Sequence, residues 1–373
     1  MENVNSVCFV AKIETISEIK DAQNIVQAII GGWECVIAKN KYKIGDLVVI
    51  ATTDAIIPFE TAEKLGITNY LKNRKKTNQY TVKTTKLRGV YSTSLIVIDN
   101  AFLPEGTDMM RDLGIYKYEE PSVEIILNSG KRVRYHKNSN FHIYYKFPNA
   151  KNTSNIFTED DDVVITNKIH GTNTRYGIVK KNKLSFIDKI KKWFGKRNVE
   201  YDFVYGSHNV EKGSDSQGFY STDVWKTVGD NIEIRRRLWD WFNKVHSLNN
   251  LEEGIILYAE IYGKGIQKYY DYGYENYQIA FFDIKINSEY VSHKEFEIIT
   301  DAMGLPRVPV LYEGKFNQEI IDKLQNRNIP GTKVPEEGIV VKHISGEREK
   351  IVKYINPEYL AFQSKKEDST DFH

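Results

Sequence analysis

The apolar positions of the first hundred residues come in short runs. "VCFVAKIETI", "GWECVIA" and "GDLVVIA" are β-branched and apolar, punctuated by "GG", "KIGD" and "TTD". That pattern predicts short strands joined by turns. "DAQNIVQAII" fits a strand or a short helical turn, and "KTTKLRGVYSTSLIVI" predicts a strand pair about Gly89. Between them, "PFETAEKLGITNYLKNRKKTNQY" begins with helical spacing and becomes basic and loop-like. Strands this short and this closely spaced predict a small barrel or sandwich. "LPEGTDMMRDLGIYKYEEP" closes the region, with Pro121 as punctuation.

From about residue 130 to 361 the apolar runs lengthen: "VVITNKI", "GIILYAEIYG", "YQIAFFDIKI", "EGIVVKHI" and "KIVKYI". At least two helices interrupt them. "STDVWKTVGDNIEIRRRLWDWFNKVHSL" spaces Val224, Val228, Ile232, Ile234, Leu238, Trp241 and Phe242 helically. "SHKEFEIITDAMGL" opens on a Ser N-cap and ends at Gly304. The expected class is α+β, built on antiparallel sheets. The expected units are 1–125, 130–361 and a disordered polar tail, 362–373.

Composition changes this picture little. The chain has 373 residues, 41% hydrophobic and 27% charged, with a net charge of +2. That balance neither requires nor excludes a nucleic-acid partner, so a local basic patch carries more weight. The two cysteines, Cys8 and Cys35, sit in strand-like apolar runs. They read as buried, reduced thiols, and a cytoplasmic location is expected. No apolar run reaches the ~18 residues of a membrane span, and no membrane partner is expected. One segment stands apart: "KKNKLSFIDKIKKWFGKR", 180–197, is basic except for Asp188, and Leu184, Ile187, Ile190 and Phe194 can share a helical face. It reads as a solvated helix or insertion; a phosphate-contact surface and a membrane-surface helix are the functional alternatives.

The chemistry centres on "TNKIHGTNTR". Its Lys168 begins a Lys-x-x-Gly, but Lys86, Lys192 and Lys226 begin others, so the bare pattern decides nothing. A lysine that attacks the α-phosphorus of ATP must be neutral. At an ordinary pKa of about 10.4, roughly 0.1% is neutral near pH 7.4. Such a site needs nearby cations or burial to lower that pKa, carboxylates for a divalent metal, and an aromatic ring for the base. These residues follow in order on strand-like segments: Glu260 in "LYAEIYG", Phe281, Phe282 and Asp283 in "AFFDIKI", Glu337 and Lys342 in "EEGIVVK", and Lys350 and Lys353 in "EKIVKYINPEYL".

This order resembles the covalent nucleotidyltransferase superfamily of polynucleotide ligases and capping enzymes. "NKIHGTN" looks like the nucleophile motif of its RNA ligase 2-like members. "AEIYGKGIQKYYDYGYENYQIAFFDI" resembles their stretch from the ribose-binding Glu to the adenine-stacking Phe, and "EEGIVVK" matches their fourth motif. The front of the chain looks like the OB-fold module of the Deinococcus- and Naegleria-type RNA ligases. The resemblance therefore implies an OB-fold barrel followed by an antiparallel-β/α nucleotidyltransferase domain. It implies an ATP-dependent RNA ligase, a monomer, that seals 3′-hydroxyl and 5′-phosphate ends with Mg²⁺ or Mn²⁺.

The roles it implies are specific. Lys168 accepts AMP. His170, Gly171 and Asn173 shape the nucleophile loop and its phosphate contacts. Glu260 holds the ribose, and Phe282 stacks on adenine. Glu337, with Glu260, organises the metal. Lys342 and Lys353 contact the α-phosphate, with Lys350 as a further nucleotide contact. Lys86, Arg88, His208 and Lys212 are the nucleic-acid contacts; Trp33 and Tyr91 are also candidates for that role, with core packing favoured for Trp33. The chain departs from the family pattern twice. In "VYGSHN", His208 stands where an Arg is usual, so either that role shifts toward Arg175 or Lys212 or the kinetics of the steps differ. The usual Lys-x-Lys is irregular: Arg348/Lys350 and Lys350/Lys353 are the available pairs, and Lys350 and Lys353 would face opposite sides of a strand. A DNA ligase or capping enzyme, and a non-catalytic RNA-binding relative, are the alternatives.

Overall fold

The computed structural model describes residues 6–53, 55–74, 79–117, 138–153, 156–194, 199–214, 223–246, 251–267 and 270–370. The expected boundary near 125–130 lies outside them. The front half contains β1 (Cys8–Glu18), β2 (Ile25–Ile30), β3 (Trp33–Ala38), β4 (Leu47–Thr52), β5 (Ala55–Pro58), α1 (Phe59–Lys64), β6 (Leu71–Arg74), β7 (Gln79–Val82), β8 (Thr85–Leu87), β9 (Val90–Ser92), β10 (Ser94–Ile98) and β11 (Tyr116–Lys117).

Five of these strands form a sheet in the order β10-β4-β1-β2-β3. Its two edges meet: the Thr93 N–H donates to the Glu34 carbonyl at 2.9 Å and the Val36 N–H to the Ser92 hydroxyl at 3.0 Å. The sheet thus closes into the expected small barrel. Its core takes every second residue of β2 and β3, Val26, Ala28, Ile30, Trp33, Cys35 and Ile37, with Ile13 and Ile50. "DAQNIVQAII" resolves as a strand because Val26, Ala28 and Ile30 are needed on one face. Burial pushes the Cys35 thiol up to about 11 and the Cys8 thiol up to about 12. Both are free and buried.

A second sheet, β11-β5-β7-β6, lies beside the barrel. Here the loop expected in "NYLKNRKKTNQY" is replaced in part by β6 and β7. Polar residues there occupy the solvent side of an edge pair, while Tyr80 and Val82 are buried. β8 and β9 form the ribbon about Gly89.

The rest of the chain supplies β12 (Asp162–Asn167), β13 (Thr172–Lys180), α2 (Phe186–Trp193), β14 (Tyr201–Ser207), β15 (Glu211–Ser214), α3 (Val224–Asn231), α4 (Ile234–Val245), β16 (Gly254–Tyr262), β17 (Gln278–Ile286), β18 (Glu289–Tyr290), α5 (His293–Met303), β19 (Val310–Lys315), α6 (Gln318–Gln325), β20 (Gly338–His343), β21 (Ile351–Ile355) and α7 (Pro357–Thr370). They build two antiparallel sheets, β19-β12-β20-β21 and β15-β14-β13-β16-β17-β18. On β16, Ile255, Leu257, Ala259 and Ile261 face α3, α4 and α5 and join their core. Ile256 and Tyr258 pack in a separate cluster, and Glu260 shares their face by alternation.

Two further expectations change. The single helix over 221–248 is two, because Glu233 adopts left-handed φ of 52° between α3 and α4. The break lets Val228 and Ile234 bury in the same core. α5 keeps its expected ends, with a Ser292–Glu295 capping box and Gly304 at φ 62°. The tail expected to be disordered continues α7 through Thr370, while 371–373 lie outside the described residues. Tyr359 and Ala361 are buried and anchor the first turns, and extension from a formed helix costs far less than nucleation. Among the described residues no helix is long and apolar enough to cross a membrane.

Candidate active site

A cavity of about 460 Å³ is lined by residues of both sheets and by the segment 144–147. Lys168 stands just past β12, where its N–H donates to the Gly338 carbonyl at 3.0 Å. Its Nζ donates to Glu337 Oε1 at 2.5 Å. Asn173 and Glu260 are direct cross-strand partners on β13 and β16, and both line the cavity.

Phe282 and Asp283 come to the same side of their strand through an irregularity in its pairing. Ala259 pairs with Phe281 and Tyr258 with Asp283, which leaves Phe282 without a partner on β16. A β-bulge of this kind turns the extra residue out of alternation. Phe281 stays in the helix-side core. Phe282 lines the cavity, and Asp283, also off the helix side, meets the residues described next.

Lys342 bridges the two sheets. From β20 its Nζ donates to the Phe282 carbonyl at 2.8 Å and to Asp283 Oδ2 at 3.0 Å. Asp283 also accepts from Tyr144 Oη at 2.7 Å and Arg348 at 2.9 Å. Burial alone would raise the Asp283 carboxyl, but Lys342 and Arg348 outweigh it and hold the carboxyl below its ordinary value. Burial lowers the Lys342 ammonium against the pull of Asp283. Arg348 is seated over the Tyr290 ring, 3.3 Å from its centroid.

The loop carrying Lys168 is clasped from several directions. The His170 N–H donates to Tyr272 Oη at 2.7 Å. The His170 ring meets Tyr359 Oη and Gln363 Nε2, each at 3.0 Å. Gly171 lies against β16: a Cβ there would sit 2.2 Å from the Ile261 carbonyl oxygen and 2.9 Å from Glu260 Cγ. Both obstacles belong to the sheet that carries Glu260, so Gly171→Ala should cost about 1–3 kcal/mol in urea unfolding and displace the loop. Unchanged unfolding and nucleotide binding would contradict this placement.

His170 also sets an acid limit. Burial lowers its pKa, as it does for His142 and His293. Above the unfolded value of about 6.5 these rings are neutral in both states, and stability is unaffected. As pH falls through that value the unfolded chain binds protons that the folded chain resists, so stability is lost. Thermal melts should therefore decline on going from about pH 7 to about pH 5.5; a flat profile across that window would refute the assignment.

The structure places the expected site residues in three groups. Lys168, Asn173, His208, Glu260, Phe282, Lys342 and Lys353 line the cavity, and Glu337, His170 and Gly171 are attached to it through the Lys168 loop. Lys350 is not brought there: it ends the single helical turn Arg348–Lys350 that precedes β21, and it pairs with Asp161. The nearest charge to Lys168 Nζ is the anion Glu337, rather than the cation expected from the need for a neutral amine. The cations in the same cavity are Lys342 and Lys353, with Lys117 and Lys146.

Lys212 is not a surface contact. It is buried, lies 3.9 Å from the Trp225 ring centroid and is 3.9 Å from Asp223. Arg175 cannot stand in for His208 either: it is buried, donating to the Ser207 carbonyl at 3.0 Å and stacked 4.2 Å from the Phe141 centroid. Lys86 and Tyr91 face Glu358 of α7, at 3.4 and 3.1 Å. Arg88 is exposed, at φ 48°, and donates to the Asp21 carbonyl. Trp33 is buried, with Nε1 donating to Asn152 at 2.8 Å. Sequence reasoning missed Lys117, Tyr144, Lys146, Phe147 and Asn167. The dense aromatic and basic run "FHIYYKFPN" was the available signal for three of them.

A divalent cation suits this donor set. Among the described residues no three His, Cys, Asp or Glu cluster as a closed metal cage. Mg²⁺-type ions instead take one or two carboxylates and complete their shell with phosphates and water. Glu260 and Glu337 supply that number, and the buried Asn173 Oδ1 has no hydrogen-bond partner among the described residues.

An RNA ligase family model matches residues 161–355, and an OB-fold domain model matches residues 7–98. No curated protein matches the chain. Among solved structures, a lysine-to-alanine variant of Naegleria gruberi RNA ligase with ATP and Mn superposes with a TM-score of 0.70 at 19% identity, covering 96% of this chain and 99% of that one. The same enzyme as a glutamate-to-alanine variant with AMP and Mn gives a TM-score of 0.71 at 18% identity, covering 97% and 100%. A third, with PPi, gives 0.70 at 18%, covering 97% and 99%. The front barrel is an OB fold, followed by the mixed antiparallel sheet and helix domain of those structures.

Proposed function

The chain belongs to the RNA ligase family, and on that premise we propose that it is an ATP-dependent RNA ligase that joins 3′-hydroxyl and 5′-phosphate ends through AMP carried on Lys168. One observation carries this reading. Lys168, bonded to Glu337, opens on a cavity that also presents Glu260, Phe282, Lys342 and Lys353.

In the first step the Lys168 amine attacks the α-phosphorus of ATP. A P–N bond forms, the bond to the β-phosphate oxygen breaks and pyrophosphate leaves with that electron pair. Glu337 Oε1 is the nearest acceptor for the ammonium proton. Phe282 offers a ring face to the base and Glu260 a carboxylate to the ribose hydroxyls. Lys353 and Lys342 put positive charge where the α-phosphate oxygens would lie, and Lys342 is held for that task by Asp283. A divalent cation held by Glu337 and Glu260 would supply further charge against the triphosphate. AMP then passes to an RNA 5′-phosphate, and the neighbouring 3′-hydroxyl displaces it to form the phosphodiester.

Incubation with α-labelled ATP and Mg²⁺ or Mn²⁺ tests the reading. Label should become covalently attached and map to the peptide containing Lys168. An unlabelled protein, or label on another lysine, would overturn it. Offered RNA and DNA nicks, the labelled protein should seal those with RNA ends.

A further inference from the structure

The basic segment between β13 and β14 takes no part in the cavity. It folds as α2, started by a Ser185–Asp188 capping box. Its large apolar side chains point outward: Phe186 is 78% exposed, Ile187 61%, Ile190 40%, Trp193 82% and Phe194 72%. Trp193 and Phe194 touch each other, with ring centroids 5.1 Å apart. At about 100° per residue all five fall within an arc of about 120°. Lys189 lies about 40° beyond one edge of that arc and Lys191 about 40° beyond the other. Both are exposed, as is Lys183. The acidic neighbours are turned inward on the segment itself, Asp188 to Lys181 at 3.2 Å and Glu200 to Lys192 at 2.7 Å.

We propose that α2 is a membrane-surface helix that docks on an anionic lipid bilayer, laying Phe186, Ile187, Ile190, Trp193 and Phe194 into the headgroup–acyl boundary and setting Lys189 and Lys191 against lipid phosphates. The side-chain arrangement is the one such a boundary selects: a continuous apolar face, aromatic at both ends, with lysines at its two margins whose stems reach up to the headgroups. A nucleic-acid surface would put the cations at the centre of the contact, and isoleucine offers no stacking face. Position argues the same way. Asn173 lines the cavity at one end of β13, and Lys180 ends that strand seven residues later, about 24 Å away. The helix is thus free to lie on a surface while the cavity stays open.

Flotation with vesicles reads this directly. The wild-type chain should float with phosphatidylcholine vesicles containing about one third phosphatidylserine and stay behind with phosphatidylcholine alone. Phe186→Ser/Trp193→Ser and Lys189→Glu/Lys191→Glu should each lower the bound fraction roughly tenfold, while both keep wild-type melting and wild-type labelling by ATP. Absence of flotation by the wild type, or flotation equal in all three proteins, overturns the proposal. So does a loss of RNA binding in the variants without loss of lipid binding, which would make α2 an RNA contact. A change from dimer to monomer in the variants without lipid binding would make it a face between copies, with the same consequence. The readout does not depend on the ligase reading, so either can fail alone.

Discussion

Lys168→Arg is expected to end covalent labelling by ATP, a loss of at least about a thousand-fold, without unfolding the chain. A guanidinium does not lose its proton in a protein and so offers no lone pair to the α-phosphorus. It can still donate to Glu337, and the Lys168 side chain is 24% exposed, which leaves room for the larger head. The same variant should still seal an RNA whose 5′ end already carries AMP, because that step bypasses the lysine. Loss of this sealing as well, together with a lowered melting temperature, would mean that the substitution damaged the loop rather than the nucleophile.

The second large effect concerns stability. Lys342, Arg348 and Tyr144 all bond the Asp283 carboxylate. Asp283→Ala leaves two cations in a buried place without their anion, and breaking such a pair from one side costs about 3–5 kcal/mol. It should also release the Lys342 contact that ties β20 to β17. Lys342→Met should cost less, because Arg348 still compensates Asp283. Urea unfolding of the two variants checks the order, and a cost for Asp283→Ala below about 1 kcal/mol would show that the cluster is not coupled in this way.

Much of this was legible in the sequence. The strands of the barrel follow from apolar alternation, and α5 from Ser292 and Gly304 at its ends. Lys168, Glu260, Phe282, Lys342 and Lys353 were named in order before any geometry, and all five line the cavity. What escaped was set by contacts distant in the chain. The bulge at Phe282 depends on pairing with β16, which no run of residues reveals. Lys212 and Arg175 read as free cations because burial beneath Trp225 and Phe141 leaves no local mark. Glu233 interrupts a helix whose apolar spacing continues through it, since both segments address one core. Lys117 comes from the other half of the chain altogether.

The grip of α7 on His170 has a consequence for the order of events during synthesis. Tyr359 and Gln363 lie 189 and 193 residues after the ring they hold. At about 5–20 residues per second, the ribosome needs roughly 10–40 s to make that interval. Through that time the nascent chain already has its lysine but not the clasp that orders the loop around it. A chain stalled before Pro357 should therefore take up no AMP, and competence should arrive abruptly once α7 has emerged, so that the proposed nucleophile is set late although it is made early.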